Sequence, residues 1–316
     1  MLCHAIRLCV VVFALCLVTE AHGTALEDSE ETHQASYETK GSLVDLIAEA
    51  SSASIVTSIV PIVPLFLFRD APSPLSMDLM LSFAAGGLLG DVFLHSLPHI
   101  FEHGRHGHCT VEMTLILAGV FTFFLMEAVV TSGHSHAHDN SSVQARRSKR
   151  STRGHERKSR SSVKAWLALI ADASHNATDG VAIAAAVLDA RGSTLRSWVV
   201  MAHEVPHELG DYAVLKSCGW SKQEIIVSQI GTGLVSLVAT VVSCALGHWS
   251  APVAAWMAPF VAGTFIYVGA VTILGELVQR SPSGLGQALI WSAAQAVSFS
   301  LGVLILIAVA FLEEHR

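Results

Sequence analysis

The sequence predicts an all-α polytopic membrane protein with eight transmembrane helices, and three observations carry that prediction. Residues of the AVILMFWYC set make up 52% of the 316 and charged residues only 14%, where a soluble domain carries roughly a quarter. Apolar stretches of spanning length recur eight times along the chain. The basic residues of the connecting loops fall mostly on one side. Disorder is excluded, because it needs low hydrophobicity and mean hydropathy is +0.52. A disulfide-stapled secreted domain is excluded too. Cys3, Cys9 and Cys16 sit in the leader, leaving Cys109, Cys218 and Cys244, an odd and widely spaced set. A formal charge of −7 offers no nucleic-acid footprint, so the lipid bilayer is the expected partner and nucleic acid is not.

Residues 1–23 read as a secretory signal peptide. Arg7 is the positive flank and Leu8 to Val18 the apolar stretch, with small residues after it at Ala21 and Gly23. Those eleven apolar residues are too few to cross ~30 Å of hydrocarbon. An acidic luminal or extracellular tail follows over 24–43. Spans one to three occupy 44–131, at 44–68, 77–100 and 112–131. A cytosolic loop rich in His and Arg covers 132–164. Spans four to eight fill 165–312, at 165–188, 196–217, 224–247, 252–277 and 287–312, and 313–316 is a short tail.

Several boundaries have local causes. Pro72 and Pro74 mark the turn before the second span. Gly219 suits the C-terminal cap of the fifth, and Ser221-Lys-Gln-Glu224 reads as a capping box opening the sixth. Pro282 and Gly284 mark the turn before the eighth. Gly86, Gly87 and Gly90 allow close helix approach.

With the N-terminus outside, the inside loops hold Arg69, nine basic residues from Arg146 to Lys164, Lys216, Lys222 and Arg280, thirteen in all. The other side holds five: Lys40, Arg105, Arg191, Arg196 and Arg316. The positive-inside rule therefore agrees with the signal peptide, and both termini are expected outside.

Two histidine-rich segments flank the spans. His134, His136 and His138 alternate at the start of the inside loop and suit weak capture of a divalent ion. The basic run after them lies near anionic lipid. His95 and His99 are four apart, share a helix face and point to the outer mouth of span two. The sequons at Asn140 and Asn176 are expected to be unused, one lying inside and the other within span four.

The strongest signal lies in spans four and five. DASHNATDG carries Asp172, His175, Asn176 and Asp179; HEVPHELGD carries His203, Glu204, His207, Glu208 and Asp211. A carboxylate at a helix centre costs ~2.5–3.5 kcal/mol on insertion scales. No Lys or Arg lies between Trp166 and Leu188, or between Arg196 and Lys216. The missing positive charge is supplied by a bound metal cation. His175 and Asp179 are four apart on one helix line, as are His203 and His207, and Glu204 and Glu208. Asn176 is rotated about 100° from His175. One ligand set is then His175, Asp179 and His207; the other is Asn176 and Glu204, with Asp179 or His207 bridging. Imidazole with carboxylate suits Zn²⁺, Fe²⁺ or Mn²⁺. Pro206 leaves the Ala202 carbonyl without its helical donor and is expected to bend span five at this point. Asp91, Glu276 and Gln229 border the proposed path, Asp91 and Glu276 with capping or snorkelling as the alternative.

HEVPH over 203–207 also matches the H-E-x-x-H helix of zinc proteases, in which Glu204 activates water. An intramembrane zinc metalloprotease is thus the alternative. Proline inside the motif and the surplus of ligands on span four count against it.

HNATDG and HEVPHELGD resemble the paired signature of the ZIP family of zinc and iron permeases, in its histidine-rich HExPHExGD branch and especially the Catsup-like members. GGLLGDVFLHSLPH (86–99) and GTFIYVGAVTILGEL (263–277) are similar to that branch's second and seventh helices. The resemblance covers roughly 75–316. It implies a ZIP-transporter-like bundle that is not an enzyme and has no cofactor, with Zn²⁺ as the transported ion and Fe²⁺, Mn²⁺ and Cd²⁺ as competitors. It implies movement into the cytosol from the lumen or exterior by an elevator-like shift, in a homodimer. By the same likeness His175, Asn176, Asp179, Glu204 and His207 fall on the binuclear metal-site positions and His203 on an adjacent one. Endoplasmic reticulum or Golgi membrane is the implied location, with the plasma membrane as the other choice.

Overall fold

The computed structural model describes residues 43–67, 73–103, 109–135, 149–188, 193–247, 250–282 and 284–314. The signal peptide, the acidic tail up to residue 42, His136, His138 and Asn140 lie outside them. Among the described residues all regular structure is helical and forms eight rods.

The first, α1 (Leu43–Ile59), tightens into a 3₁₀ segment over Val60–Leu67. Pro61 and Pro64 lie there and cannot donate to the α-helical ladder. Helix α2 (Pro74–Asp91) opens with Pro74 at its first turn and Ser73 as N-cap, whose hydroxyl accepts from the Ser76 amide at 3.1 Å. It continues through a π-turn, Val92–Ser96, into Leu97–His103. Helices α3 (Cys109–Ser135), α4 (Lys149–Leu188), α5 (Ser193–Ser217) and α6 (Lys222–Leu246) follow. Helix α7 (Ser250–Ile266) runs through a second π-turn, Tyr267–Ile273, into Leu274–Gln279, and α8 (Leu285–Glu314) ends the bundle.

The expected punctuation is present. Gly219 closes α5 at φ 91° and Gly284 precedes α8 at φ 123°, backbone that side chains with a Cβ rarely adopt. The Ser221–Glu224 capping box forms with both bonds, at 3.2 and 2.8 Å.

Two features add to the sequence reading. Helix α4 begins at Lys149, sixteen residues before the predicted span. Arg, Lys and Glu are good helix formers, and extending a helix that already exists needs no new nucleus. Helix α5 runs uninterrupted through Pro206, whose ring faces the open side of Gly87 on α2. Widened backbone lies at the two π-turns.

Six rods are long and apolar enough to cross a membrane by length and composition. The other two long rods, α4 and α5, carry Asp172, His175, Asn176, Glu204, His207 and Glu208, all buried. Large apolar side chains such as Val227, Leu234 and Val238 on α6 and Leu289, Ile290 and Leu301 on α8 point outward, as a lipid-facing surface requires. The chain is a multi-pass, all-α membrane protein.

Inside, α4 and α1 pack on α6, α2 packs on α8 and α5, and α3 packs on α7. Where α2 crosses α8, a Cβ on Gly86 would overlap the Phe299 carbonyl and one on Gly302 the Phe83 carbonyl. These glycines therefore set the close approach that the sequence suggested. Leu81, Ala84, Leu88, Phe123, Ala168, Ala171, Ala213 and Phe265 form the central apolar cluster.

At the end of the bundle where α5 meets α6, an ion network ties the rods together. Lys164 of α4 pairs with Glu276, and its Nζ also donates to Ser217 Oγ at 2.8 Å. Glu276 pairs with Arg280 at 2.5 Å, and Arg280 donates to Asp78 of α2 at 3.0 Å. Trp291 of α8 donates to the other Asp78 oxygen at 3.1 Å. Glu276 is thus a member of this network.

Candidate metal centre

Antiparallel α4 and α5 bring their polar faces together at mid-length. His175 and Asp179 project from one line of α4, as four-residue spacing requires, and His175 Nε2 lies 3.1 Å from Asp179 Oδ2. Glu204 enters from α5, with Oε1 3.4 Å from the same nitrogen. One ligand atom from each of the three lies within 4.8 Å of the other two. His175 and Glu204 are buried, and Asp179 is partly so. For metal bonds of about 2.05 Å the edge of a tetrahedron is about 3.3 Å. The two separations from His175 Nε2 straddle that value, and the carboxylate pair lies within 4.8 Å.

His207, one turn beyond Glu204, lies beside this cluster. Its ring stacks on His175 with centroids 4.6 Å apart and planes 17° from parallel. Its Nε2 is 3.6 Å from Asp91 Oδ2 of α2. Phe265 of α7 closes the apolar side, 5.0 Å from the His175 ring and 5.1 Å from that of His207. Asp91 immediately precedes the first π-turn, and Phe265 lies two residues before the second. Widened turns of this kind re-aim side chains at sites.

Asn176 engages Asp172 through its amide nitrogen. Its Nδ2 donates to Asp172 Oδ1 at 2.7 Å and to the Asp172 carbonyl at 3.2 Å. Being buried, it is no acceptor for a glycan. Glu208 is buried, Asp211 is partly exposed, and Gln229 of α6 donates from Nε2 to the Glu208 carbonyl at 3.0 Å. His95 and His99 meet edge to face with centroids 4.7 Å apart, away from the cluster in sequence and along the second rod. His134 is in the last turn of α3. Its side chain and that of His203, and the whole of His136 and His138, lie outside the described atoms.

A family model for ZIP zinc transporters matches residues 44–310. The chain belongs to the ZIP zinc transporter family. Among its relatives, zinc transporter SLC39A7 of Mus musculus is 31% identical over 85% of this chain and 71% of its own length. The Homo sapiens protein of that name is 30% identical over 85% and 72%. Zinc transporter YKE4 of Saccharomyces cerevisiae is 25% identical over 98% of this chain and 99% of its own. These relatives support the Catsup-like branch of the ZIP family and transmembrane zinc transport as the class of activity.

Within this ZIP chain the sequence reading missed two contributors. Phe265 is one of thirteen phenylalanines, and nothing in its neighbourhood distinguishes it from other apolar residues. Asp172 was recognised as a polar member of span four but not as the partner of Asn176. Its spacing of four from Asn176 is the signal that finds it.

Proposed function

We propose that this ZIP chain carries Zn²⁺ into the cytosol from a lumen or the exterior, through the site built by His175, Asp179 and Glu204. The observation that carries the reading is the buried triad itself: three donor atoms within 4.8 Å of one another, on helices with no Lys or Arg in reach of sequence at that level. Two carboxylates and an imidazole offset the charge of one dication and replace part of its water shell. His207 and Asp91 border the same space and serve the ion as it enters, with His95, His99 and His203 on the approach. A site with one imidazole and hard oxygens favours Zn²⁺, and admits Fe²⁺, Mn²⁺ and Cd²⁺ as competitors.

Glu204 stands among the ligands, which argues against its use as the base of an H-E-x-x-H protease. The excess of basic residues in the loops around Lys164 makes that end cytosolic, and movement of the ion toward it is what the resemblance to the ZIP family implies. A homodimer in endoplasmic reticulum or Golgi membrane accords with the branch. The weak histidines of the 132–164 segment, His134, His136 and His138, receive ions on the cytosolic side.

The test is radiolabelled zinc uptake into liposomes holding the purified chain, with competing metals outside. Uptake that is saturable, inhibited by Cd²⁺ and absent from His175→Ala is expected. Liposomes impermeable to every divalent ion, or wild-type uptake by His175→Ala, would overturn the reading.

A further inference from the structure

Below the triad lies a second layer of oxygen atoms that the first site does not use. Asp172 precedes His175 by three residues in α4, about 4.5 Å along the axis. Glu208 follows Glu204 by four in α5, about 6 Å along its axis. Because the helices run antiparallel, both steps lead the same way, toward Lys164. Gln229 of α6 reaches that level through its bond to the Glu208 carbonyl.

The three side chains are 5%, 4% and 0% exposed. Asp172 Oδ2, Glu208 Oε2 and Gln229 Oε1 have no hydrogen-bond partner among the described residues. The Gln229 amide is not ambiguous: a carbonyl only accepts, so Nε2 faces Glu208 and Oε1 is left over. A buried acceptor without a donor is costly, and here there are three, from three helices. Lys164, eight residues before Asp172, is engaged by Glu276 and Ser217. Asn176 donates to one Asp172 oxygen and the Thr232 hydroxyl lies beside that carboxylate, yet one oxygen each of Asp172, Glu208 and Gln229 is left over, and such a surplus of buried acceptors calls for a cation.

We infer that Asp172, Glu208 and Gln229 form an all-oxygen station that takes the dication from the His175 triad and passes it toward the cytosol. The inference rests on the transport reading above and deepens it. An oxygen-only set holds Zn²⁺ less tightly than a set with imidazole, so the ion enters the station and still leaves it, as conduction between successive sites requires. Asn176 links the two layers, since it follows His175 and bonds Asp172. Asp211, one turn on and partly exposed, continues the path outward.

The experiment is equilibrium dialysis of the full purified chain against radiolabelled Zn²⁺, paired with liposome flux. The wild type is expected to bind a tight and a weaker equivalent. Asp172→Asn/Glu208→Gln is expected to lose the weaker one, keep the affinity of the tight one, and lose flux by at least the roughly tenfold that loss of an outer-shell partner causes at metal sites. His175→Ala is expected to show the reverse pattern in binding. Gln229→Met, which keeps both carboxylates, weakens the second equivalent alone and serves if the double variant does not fold. Retention of both equivalents with wild-type flux would overturn the station. So would loss of both equivalents from folded double variant, because Asp172 would then merely support the triad through Asn176. A wild type that binds both equivalents but passes no zinc fails the transport reading, not the station.

Discussion

Glu276 and Lys164 offer a prediction whose sign and size follow from who else each partner touches. Lys164 is almost wholly buried, with side-chain exposure of 10%, and among the described residues has only Ser217 Oγ besides Glu276. Glu276 is more exposed, at 26%, and keeps Arg280 at 2.5 Å if Lys164 is removed. Glu276→Gln therefore strands a buried ammonium, at a cost of about 3 kcal/mol, the low end for an unpaired buried charge. Lys164→Met leaves a paired, half-exposed carboxylate and costs about 1 kcal/mol. Lys164→Met/Glu276→Gln strands nothing, since Arg280 keeps Asp78 at 3.0 Å, and stays near about 1 kcal/mol. At roughly 2–4 °C per kcal/mol, the apparent melting temperature in detergent falls about 6–12 °C for Glu276→Gln and about 2–4 °C for the other two. The assay is thermal unfolding of the three variants beside wild type, followed by tryptophan fluorescence. Equal losses from the two single changes, or a double variant as low as their sum, would refute the reasoning.

Further outcomes follow from the site and its packing. His175→Ala and Asp179→Asn abolish zinc flux while leaving expression and melting temperature close to wild type, because neither side chain carries the apolar core; paired uptake and thermal assays check this. Gly180→Ala places a Cβ 3.0 Å from that of Ala239 and into the Ser236 carbonyl, where ordinary contact needs about 3.5–4.0 Å. Helix α4 must move off α6 and take Asp179 with it, so zinc affinity in dialysis drops although no ligand is changed. Acid lowers uptake: protonated imidazole does not bind metal, and histidine takes up its proton between about pH 8 and pH 5. Flux constant from pH 7 to pH 5 speaks against imidazole ligation.

Much of this architecture was legible in the residues, and the parts that were not share a cause. Hydropathy and turn chemistry located the rods, since Gly219, Ser73 and the Ser221–Glu224 box act through local backbone bonds that a sequence displays directly. The pairing of His175 with Asp179 was legible because helical spacing brings the two together whatever the tertiary fold. Contacts across the bundle were not. Asp91 faces His207 because of how α2 packs on α5, and Phe265 covers both imidazoles because of where α7 crosses α4. Neither packing leaves a periodic trace. Helix α5 continues through Pro206, and the packing of that ring beside Gly87 is a tertiary contact that the sequence does not display. The early start of α4 at Lys149 reflects helix propensity winning over polarity, which composition alone reads as loop.

Zinc K-edge absorption of the zinc-loaded full chain addresses the metal centre most directly. The account predicts a shell of nitrogen and oxygen at about 2.0–2.1 Å, with imidazole scattering that vanishes in His175→Ala. A sulfur shell near about 2.3 Å, or a spectrum unchanged by His175→Ala, would contradict it.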